Sequence, residues 1–313
     1  MKNFSGNGTI TYDNGDVYEG AVRSNEPEGL GKMTYKDGRV CEGIWEEGEI
    51  YYEGELDDNG EPHGRGKMMH LDGTYEGEFQ HGLIISNKGT YKWSDGSSYK
   101  GEWKNNEMHG KGIQKWSDGS VQYDGEWKDN LWHGKGTYKW PDGTVEYDGE
   151  WKDNEYHGKG TCYTCNYFDG VYTGDWHAGK RQGRGVMTYS NGDIYDGQWK
   201  KDYEDGQGTM KFINGDLYEG HFSKGKLHGK GTYSYAAGDI LKCIGEWKKG
   251  KKCGEFENIV RFSKNVYYGN DEVKADTNVG VKREAQLDED TDFEGGDGPP
   301  SKRRNVCMSP PQV

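Results

Sequence analysis

The feature that most constrains the fold is a sequence repeat of about twenty-four residues. The stretches YDGEWKDNLWHGKG (123–136) and YDGEWKDNEYHGKG (147–160) differ at only two positions. Most units begin with a tyrosine two positions before a glycine, and the copies around Cys41 and Cys243 have lost the aromatic residue. Equivalent glycines lie mostly 23 to 25 residues apart, and one step of 11 marks a half-length unit around Gly43. A fixed period of this length indicates one repeat array over residues 1–254.

Within one unit the residues alternate in the way that predicts a β-hairpin. Tyr123, Gly125 and Trp127 fall on one face of a strand, and the acidic residues between them fall on the other. A loop is predicted over 128–134, followed by a second alternating stretch over 136–140. Asp-Gly or Asn-Gly pairs recur after the second stretch and tolerate the positive φ of tight turns. The predicted class is therefore all-β.

The composition predicts how these hairpins are held together. Hydrophobic residues make up only 31% of the 313 residues, whereas aromatic residues make up 13%. Two conventional aliphatic cores are therefore excluded. Glycine occurs 52 times and also falls inside the strands, where it leaves space for a large ring. We expect tyrosine and tryptophan to form one packed layer over a single sheet, because one hairpin cannot bury such a face alone.

The combined pattern resembles a known repeat. The order is Tyr-x-Gly-x-Trp, a short polar loop, His-Gly-x-Gly and an Asp-Gly turn, which resembles the MORN repeat (membrane occupation and recognition nexus) through about eleven units. The resemblance implies an elongated single-layer antiparallel β-hairpin repeat array with an aromatic-lined groove. It also implies a non-catalytic scaffold for protein–protein interaction, often in cytoskeletal, ciliary or membrane-linked assemblies. A MORN-only architecture is expected, since the roughly sixty residues that follow the array are too few and too polar for the catalytic domains that follow it in some members of the family.

The C-terminal part changes character after the array. Residues 255–270 still carry apolar side chains, and we interpret them as a cap on the last unit. Residues 271–313 are predicted to be an acidic, disordered tail, because six acidic residues fall between Asp288 and Asp297 with no basic residue among them. Neither an apolar stretch of membrane-spanning length nor a signal-peptide pattern is present.

The candidates for chemistry are histidines and cysteines. Histidine precedes the glycine pair at His63, His109, His133, His157 and His228. Equivalent histidines of neighbouring units lie about 9–10 Å apart in such a sheet, whereas every ligand of one zinc lies within about 2.1 Å of it. We therefore interpret them as turn histidines and predict no metal, cofactor or catalytic residue. The six cysteines (Cys41, Cys162, Cys165, Cys243, Cys253 and Cys307) form no secreted-type framework, which predicts reduced thiols and an intracellular, cytoplasmic or cytoskeleton-associated protein.

The predicted partner-binding surface is the central aromatic face. An amphipathic helix or extended peptide of another protein is the expected partner, with the rings as anchors. The alternative, that each ring serves only packing within the chain, is left open. The residues are Tyr99, Trp103, Trp116, Tyr123, Trp127, Tyr138, Trp140, Tyr147, Trp151, Tyr172 and Trp176.

A second candidate surface is a row of basic residues at the centre of the Gly-x-Gly motifs. Equivalent positions line up in a stack, so this row suggests contact with anionic lipid headgroups or an acidic partner. The alternative is a row of lysines that protects an edge from aggregation. The net charge of −14 disfavours nucleic acid. The residues are Arg65, Lys111, Lys135, Lys159, Arg184 and Lys230.

Three functions remain open from the sequence. The first is a scaffold for other proteins, and the second is a peripheral membrane or phosphoinositide tether through the basic row. The third is a regulatory subunit of an enzyme on another chain. Pairing of two copies into a homodimer is also left open.

Overall fold

The computed structural model describes residues 5–164, 170–264 and 276–285, with side chains as far as residue 260. The regular secondary structure in these ranges is all β-strand, which confirms the predicted all-β class. The described residues contain no helix with the length and apolar character needed to cross a bilayer.

The chain forms two compact units, each an antiparallel sheet. Among the described residues, the first unit comprises 5–145 and 151–154, and the second comprises 146–150, 155–164, 170–264 and 276–285. Strand β14 (Val145–Lys152) contributes residues to both.

The first unit contains thirteen further strands, paired with their neighbours in sequence, except that β7 pairs with both β8 and β9. They are β1 (Gly6–Thr11), β2 (Val17–Arg23), β3 (Glu26–Thr34), β4 (Val40–Glu46), β5 (Glu49–Leu56), β6 (Pro62–His70), β7 (Gly73–Gln80), β8 (Leu83–Ile84), β9 (Ser86–Trp93), β10 (Ser98–Lys104), β11 (Glu107–Lys115), β12 (Val121–Lys128) and β13 (Leu131–Lys139).

The second unit has the same organisation, and each of its strands pairs antiparallel with the next. They are β15 (Glu155–Cys162), β16 (Gly170–His177), β17 (Lys180–Tyr189), β18 (Ile194–Lys200), β19 (Tyr203–Lys211), β20 (Leu217–Ser223), β21 (Lys226–Ser234), β22 (Ile240–Lys248), β23 (Lys251–Lys264) and β24 (Asp276–Ala285).

Each repeat is built around a tyrosine ring that lies on a pair of glycines. Gly101 and Gly112 face each other in the register of β10 and β11. A Cβ added at Gly112 would lie closer than 3.0 Å to the ring of Tyr99, and one at Gly101 would meet the Cα of Gly112. The Tyr99 hydroxyl donates a hydrogen bond of 3.0 Å to the carbonyl of Glu102. Only glycine therefore fits beneath the ring, which gives the glycines inside the strands a physical reason.

The tryptophans join successive repeats through these tyrosines. The Trp127 ring packs edge-on against Tyr123 of its own hairpin, at 5.4 Å between centroids, and against Tyr99 of the preceding one, at 4.9 Å. Its Nε1 donates to the carbonyl of Gly112 at 3.2 Å. Edge-to-face pairs of this kind are favourable beyond the area that they bury. The packed ring layer that the composition predicts is thus present.

The loop predicted over 128–134 is replaced by a two-residue turn. β12 ends at Lys128, Asp129 and Asn130 form the turn, and β13 begins at Leu131. Both turn residues have positive φ, 51° and 66°. Hairpin turns of this length require positive φ at both positions, and Asp and Asn accept it more readily than other non-glycine residues. The prediction was wrong because it looked for this turn chemistry only at Asp-Gly pairs.

These turns also clamp each hairpin to the one before it. The Asn130 N–H donates to the carbonyl of Met108 at 3.1 Å, and the Met108 N–H donates back to the Asn130 side-chain Oδ1 at 2.8 Å. Asn154 makes the same pair of bonds with Trp132. At Gly225 the backbone bond to Glu204 is retained without the side-chain acceptor. Each turn therefore fixes the register of residues more than twenty positions upstream.

The C-terminal cap and tail differ from the prediction in part. β23 runs through the first ten residues of the predicted cap, and 265–270 lie outside the described residues. Within the predicted tail, residues 276–285 form β24, in antiparallel register with β23. An edge strand such as β23 presents unpaired backbone groups with which the segment that follows it can pair. The remainder of the predicted tail, 271–275 and 286–313, lies outside the described residues.

The prediction of reduced thiols is wrong for Cys162, which is disulfide-bonded and buried. Cys41 and Cys253 are free thiols. Cys165 and Cys307 lie outside the described residues. The cysteine spacing is therefore not by itself an argument for an intracellular protein.

Replacing Gly112 with alanine is expected to destabilise the first unit by about 2–4 kcal/mol, because the new methyl group overlaps the Tyr99 ring. Gly119→Ala is the control: its Cβ would meet nothing within 4 Å, and only its φ of 86° is strained. That strain costs about 1–2 kcal/mol. Urea unfolding, followed by tryptophan fluorescence, measures the free energy of unfolding of both variants. Equal losses of stability in the two variants would contradict the packing of the tyrosine ring on the glycine pair.

Asn130→Gly tests the turn clamp. Glycine keeps the positive φ and the backbone N–H but removes the acceptor of the Met108 amide. One lost hydrogen bond of about 1 kcal/mol corresponds to roughly fivefold faster exchange of that amide. Hydrogen exchange of the Met108 amide measures this effect. Lys201→Gly serves as the control, because at this turn position the backbone N–H itself donates the hydrogen bond, to Gln182, and glycine retains it. Unchanged exchange at Met108 in the Asn130 variant would refute the clamp.

Candidate functional site

The structure places most of the predicted aromatic surface in the core. Eight of the eleven rings are at most 5% exposed. Burial raises the pKa of the Tyr123 hydroxyl well above its ordinary value. This corrects the hypothesis for these eight, since a ring covered by its own repeats has no free surface for a partner. They are Tyr99, Trp103, Tyr123, Trp127, Tyr147, Trp151, Tyr172 and Trp176.

The other three rings, Trp116, Tyr138 and Trp140, are half-buried in the first unit. Tyr138 lies between the other two, with centroid distances of 6.3 Å to Trp116 and 5.6 Å to Trp140. The Trp116 Nε1 donates to the carbonyl of Lys139 at 3.1 Å. These three rings are the part of the predicted aromatic surface that retains solvent contact.

All six residues of the predicted basic row are exposed, but they do not form a basic patch. In the register of β11 and β12, Lys111 lies opposite Glu126, and its N–H donates to Glu102 on the other side at 3.1 Å. The Lys159 ammonium forms an ion pair with Asp175. Acidic residues also face Arg65 and Lys230, which lie opposite Glu78 and Glu246 respectively. The surface therefore alternates in sign along the row.

A groove of about 850 Å³ lies on the face of the second unit opposite the rings, and we call it the open-face groove. Its floor is glycine backbone, and its sides carry carboxylates, threonine hydroxyls and two basic groups. The floor residues are Gly197, Gly208, Gly220, Gly231 and Gly245. The side residues are Arg184, Asp196, Gln207, Thr209, Glu219, Lys230, Thr232, Ile244, Glu246 and Glu255.

The strand register determines the chemistry of this groove. Glu219 lies opposite Thr209 on one neighbouring strand and opposite Thr232 on the other, and Thr232 lies opposite Ile244. Four carboxylates outnumber the two basic groups, and histidine, cysteine and serine are absent from the lining. Such a surface offers hydrogen-bond acceptors and negative charge to an extended chain.

One charged cluster that sequence reasoning missed lies in the ring layer of the second unit. Arg181 is buried over the Trp199 ring, with its Cζ 4.1 Å from the centroid, and its Nη2 donates to the carbonyl of Asp202 at 2.6 Å. Burial lowers the Arg181 pKa to about 10 and raises that of Glu204, which accepts a hydrogen bond from Tyr189. The sequence feature that could have revealed this cluster is the charged residue Arg181 itself.

Equivalent positions in the preceding hairpins hold methionine, tryptophan and tyrosine, at Met108, Trp132 and Tyr156. Arginine therefore breaks an otherwise apolar or aromatic pattern at this position. The buried cluster has no open access for a partner, so we assign it to packing.

The histidines act mainly as links between hairpins. The Nδ1 atoms of His109 and His133 lie 3.5 Å from the carboxylates of Asp129 and Asp153 in the next turn. In another unit Gln182 takes the histidine's place and accepts the N–H of Lys201 at 3.2 Å.

Two of the histidines face a second imidazole instead of an acid. His63 faces His81 of the next turn, with 5.2 Å between the ring centroids. His157 faces His177, at the end of β16, with 5.1 Å between the ring centroids.

Comparison with known proteins agrees with this repeat geometry. The MORN repeat family matches eleven segments, at residues 2–17, 18–38, 52–74, 75–98, 99–121, 123–145, 147–167, 172–194, 195–217, 218–240 and 243–255. No curated protein matches the chain.

Among solved structures, a catalytically inactive virginiamycin B lyase from Staphylococcus aureus with quinupristin aligns at 12% identity, over 88% of this chain and 86% of that one, with a TM-score of 0.15. The selenomethionine-substituted form of that lyase aligns at 10% identity, over 78% and 86%, with a TM-score of 0.14. Scores this low carry no argument about fold or activity. The family matches, in contrast, cover most of the chain and coincide with its hairpins, and the chain belongs to the MORN repeat family.

Proposed function

We propose that this chain is a non-catalytic scaffold that binds other proteins through the open-face groove. The observation that carries the proposal is the division of its side chains between two faces. Most of the large rings are buried by packing between the repeats, whereas the groove presents carboxylates, hydroxyls and glycine backbone to solvent. A polar surface with a glycine floor suits an extended polypeptide, because backbone and side chains of the partner can approach closely.

The charge of the groove suggests the kind of polypeptide. Glu219, Glu246 and two further acidic residues outnumber Arg184 and Lys230, so the net charge of the lining is negative. Complementary charge steers association and selects among partners more than it adds raw affinity. The partner that fits best is therefore an extended segment rich in lysine or arginine. The family resemblance suggests a cytoskeletal or ciliary assembly as the setting.

The acidic surroundings of the basic row favour a scaffold role over a membrane tether. Those six residues were the basis of the lipid hypothesis, yet acidic residues lie beside Lys111, Lys159 and the others described above. Alternating charges attract an anionic surface only weakly, since the field of each lysine is offset by its neighbour.

Reversing one groove charge should weaken partner binding selectively. Glu219→Lys is expected to reduce capture of the native partner at least about tenfold, because a like charge then opposes the basic segment. Glu76→Lys is the matched control, since Glu76 occupies the same repeat position in the first unit. Crosslinking and mass spectrometry in extracts of the native source measures both and maps the contact. Equal capture by both variants, or crosslinks confined to the first unit, would refute the groove as the site.

Vesicle flotation tests the membrane alternative. At about 150 mM salt the chain is expected to stay unbound from vesicles containing phosphatidylserine or phosphoinositide, because acidic residues lie opposite or beside lysines of the basic row. The triple variant Lys111→Glu, Lys135→Glu and Lys159→Glu should behave the same way. Strong flotation that the triple variant abolishes would overturn the scaffold proposal in favour of a lipid tether.

A further inference from the structure

Three side chains that commonly ligate metals converge in the first unit, away from the ring layer. Asp57, His63 and His81 each offer one ligand atom, and these atoms lie within 4.8 Å of one another. The His81 Nδ1 lies 2.7 Å from the Asp57 Oδ2. This is the only such group in the part of the chain that the structure describes.

Two departures from the repeat create this cluster. The hairpin of β5 and β6 has a five-residue connection, 57–61, where β12 and β13 are joined by two residues. This longer connection supplies Asp57. In the following hairpin, histidine replaces the turn acid that faces the equivalent histidine elsewhere, as Asp129 faces His109. Neither change is needed for the packing of the rings.

The surrounding backbone positions Asp57 and the turn that carries His81. The Asp57 Oδ1 accepts the N–H groups of Asn59 at 2.9 Å and Glu61 at 3.0 Å. His81 has a φ of 49° in a turn that is tied to β6, because the Gly82 N–H donates to the carbonyl of Pro62 at 2.9 Å. The ligand set is therefore largely arranged before any ion binds.

The surroundings of His63 lack the negative charge that its equivalents have. The Nδ1 atoms of His63, His109 and His133 are all buried and make no hydrogen bond within the described residues. Those of His109 and His133 each lie 3.5 Å from a carboxylate, whereas His63 faces a second imidazole. Buried polar groups are normally paired, and a cation bound between the two rings would give the His63 imidazole a partner.

We propose that Asp57, His63 and His81 bind a divalent transition metal ion of the zinc class. Two imidazoles and one carboxylate suit zinc, with the fourth position left to water. Ligands about 2.1 Å from one ion lie no more than about 4.2 Å apart. A small rotation of His81, whose side chain is 60% exposed, closes the remaining gap. The ion would join the β5–β6 connection to the turn after β7, and so fasten two neighbouring hairpins.

This site differs from the one that the repeat spacing excludes. The spacing argument concerns equivalent histidines of neighbouring units, such as His109 and His133. His63 and His81 are not equivalent, because one lies on the second strand of its hairpin and the other lies in the next turn. The exclusion therefore holds for the array and does not apply here.

The test is a titration of the metal-free, untagged full chain with zinc chloride, followed by thermal unfolding and calorimetry. We expect one high-affinity ion per chain and a rise in Tm of at least about 3 °C at saturation. With cobalt as the probe, a spectrum without a thiolate charge-transfer band would exclude Cys41 and Cys253 as ligands.

Two variants make the test specific. His81→Asn removes the imidazole but keeps a residue that tolerates the positive φ of the turn, so the first unit should stay folded without metal and lose at least about tenfold in zinc affinity. His109→Gln removes the equivalent of His63 in another unit and should bind zinc like the parent chain. Absence of a Tm rise in the parent chain, or equal zinc affinity in the parent and His81→Asn, would overturn the proposal.

Discussion

The structure depends on one contact, the tyrosine ring that lies flat on a pair of glycines. The pair must be glycine because the ring of Tyr99 occupies the space where the side chain of Gly112 would stand. The same arrangement recurs at Tyr123 on Gly125 and Gly136. Once the ring is in place, it packs against the tryptophan of its own hairpin and the tryptophan of the following one, as Tyr99 does with Trp103 and Trp127. A chain with few aliphatic residues thereby obtains a continuous packed layer within each unit.

This way of packing determines where partners can bind. The rings that stand out in the sequence are also the ones that hold the repeats together, so most of them are withdrawn from solvent. The opposite face keeps the polar side chains, and in the second unit it forms the groove. The positions that the packing does not constrain are free to vary. His81 and Asp57 occupy such positions, and there the chain departs from its own repeat.

Strand identity and the role of the glycines were predictable from sequence, because both follow from local alternation and from the size of a ring. Exposure of the basic row was predictable for the same reason. The charges beside it were not, since Lys111 meets Glu126 only through the register of two strands. The turn at Asp129 and Asn130 was missed because its sequence looks like an ordinary polar loop. β24 was missed because an edge strand can pair with a segment that shows little pattern of its own.

By itself, the sequence determined the period of the array, the alternation of each strand and the residues that become rings and turns. The tertiary structure decided which of those side chains remain accessible and which meet across strands. The physical reason is that alternation belongs to one strand, whereas burial and contact depend on strands that pair at a distance along the chain. Asp57, His63 and His81 are separated in sequence by an insertion and a complete strand, and only the folded hairpins bring them within reach of one ion.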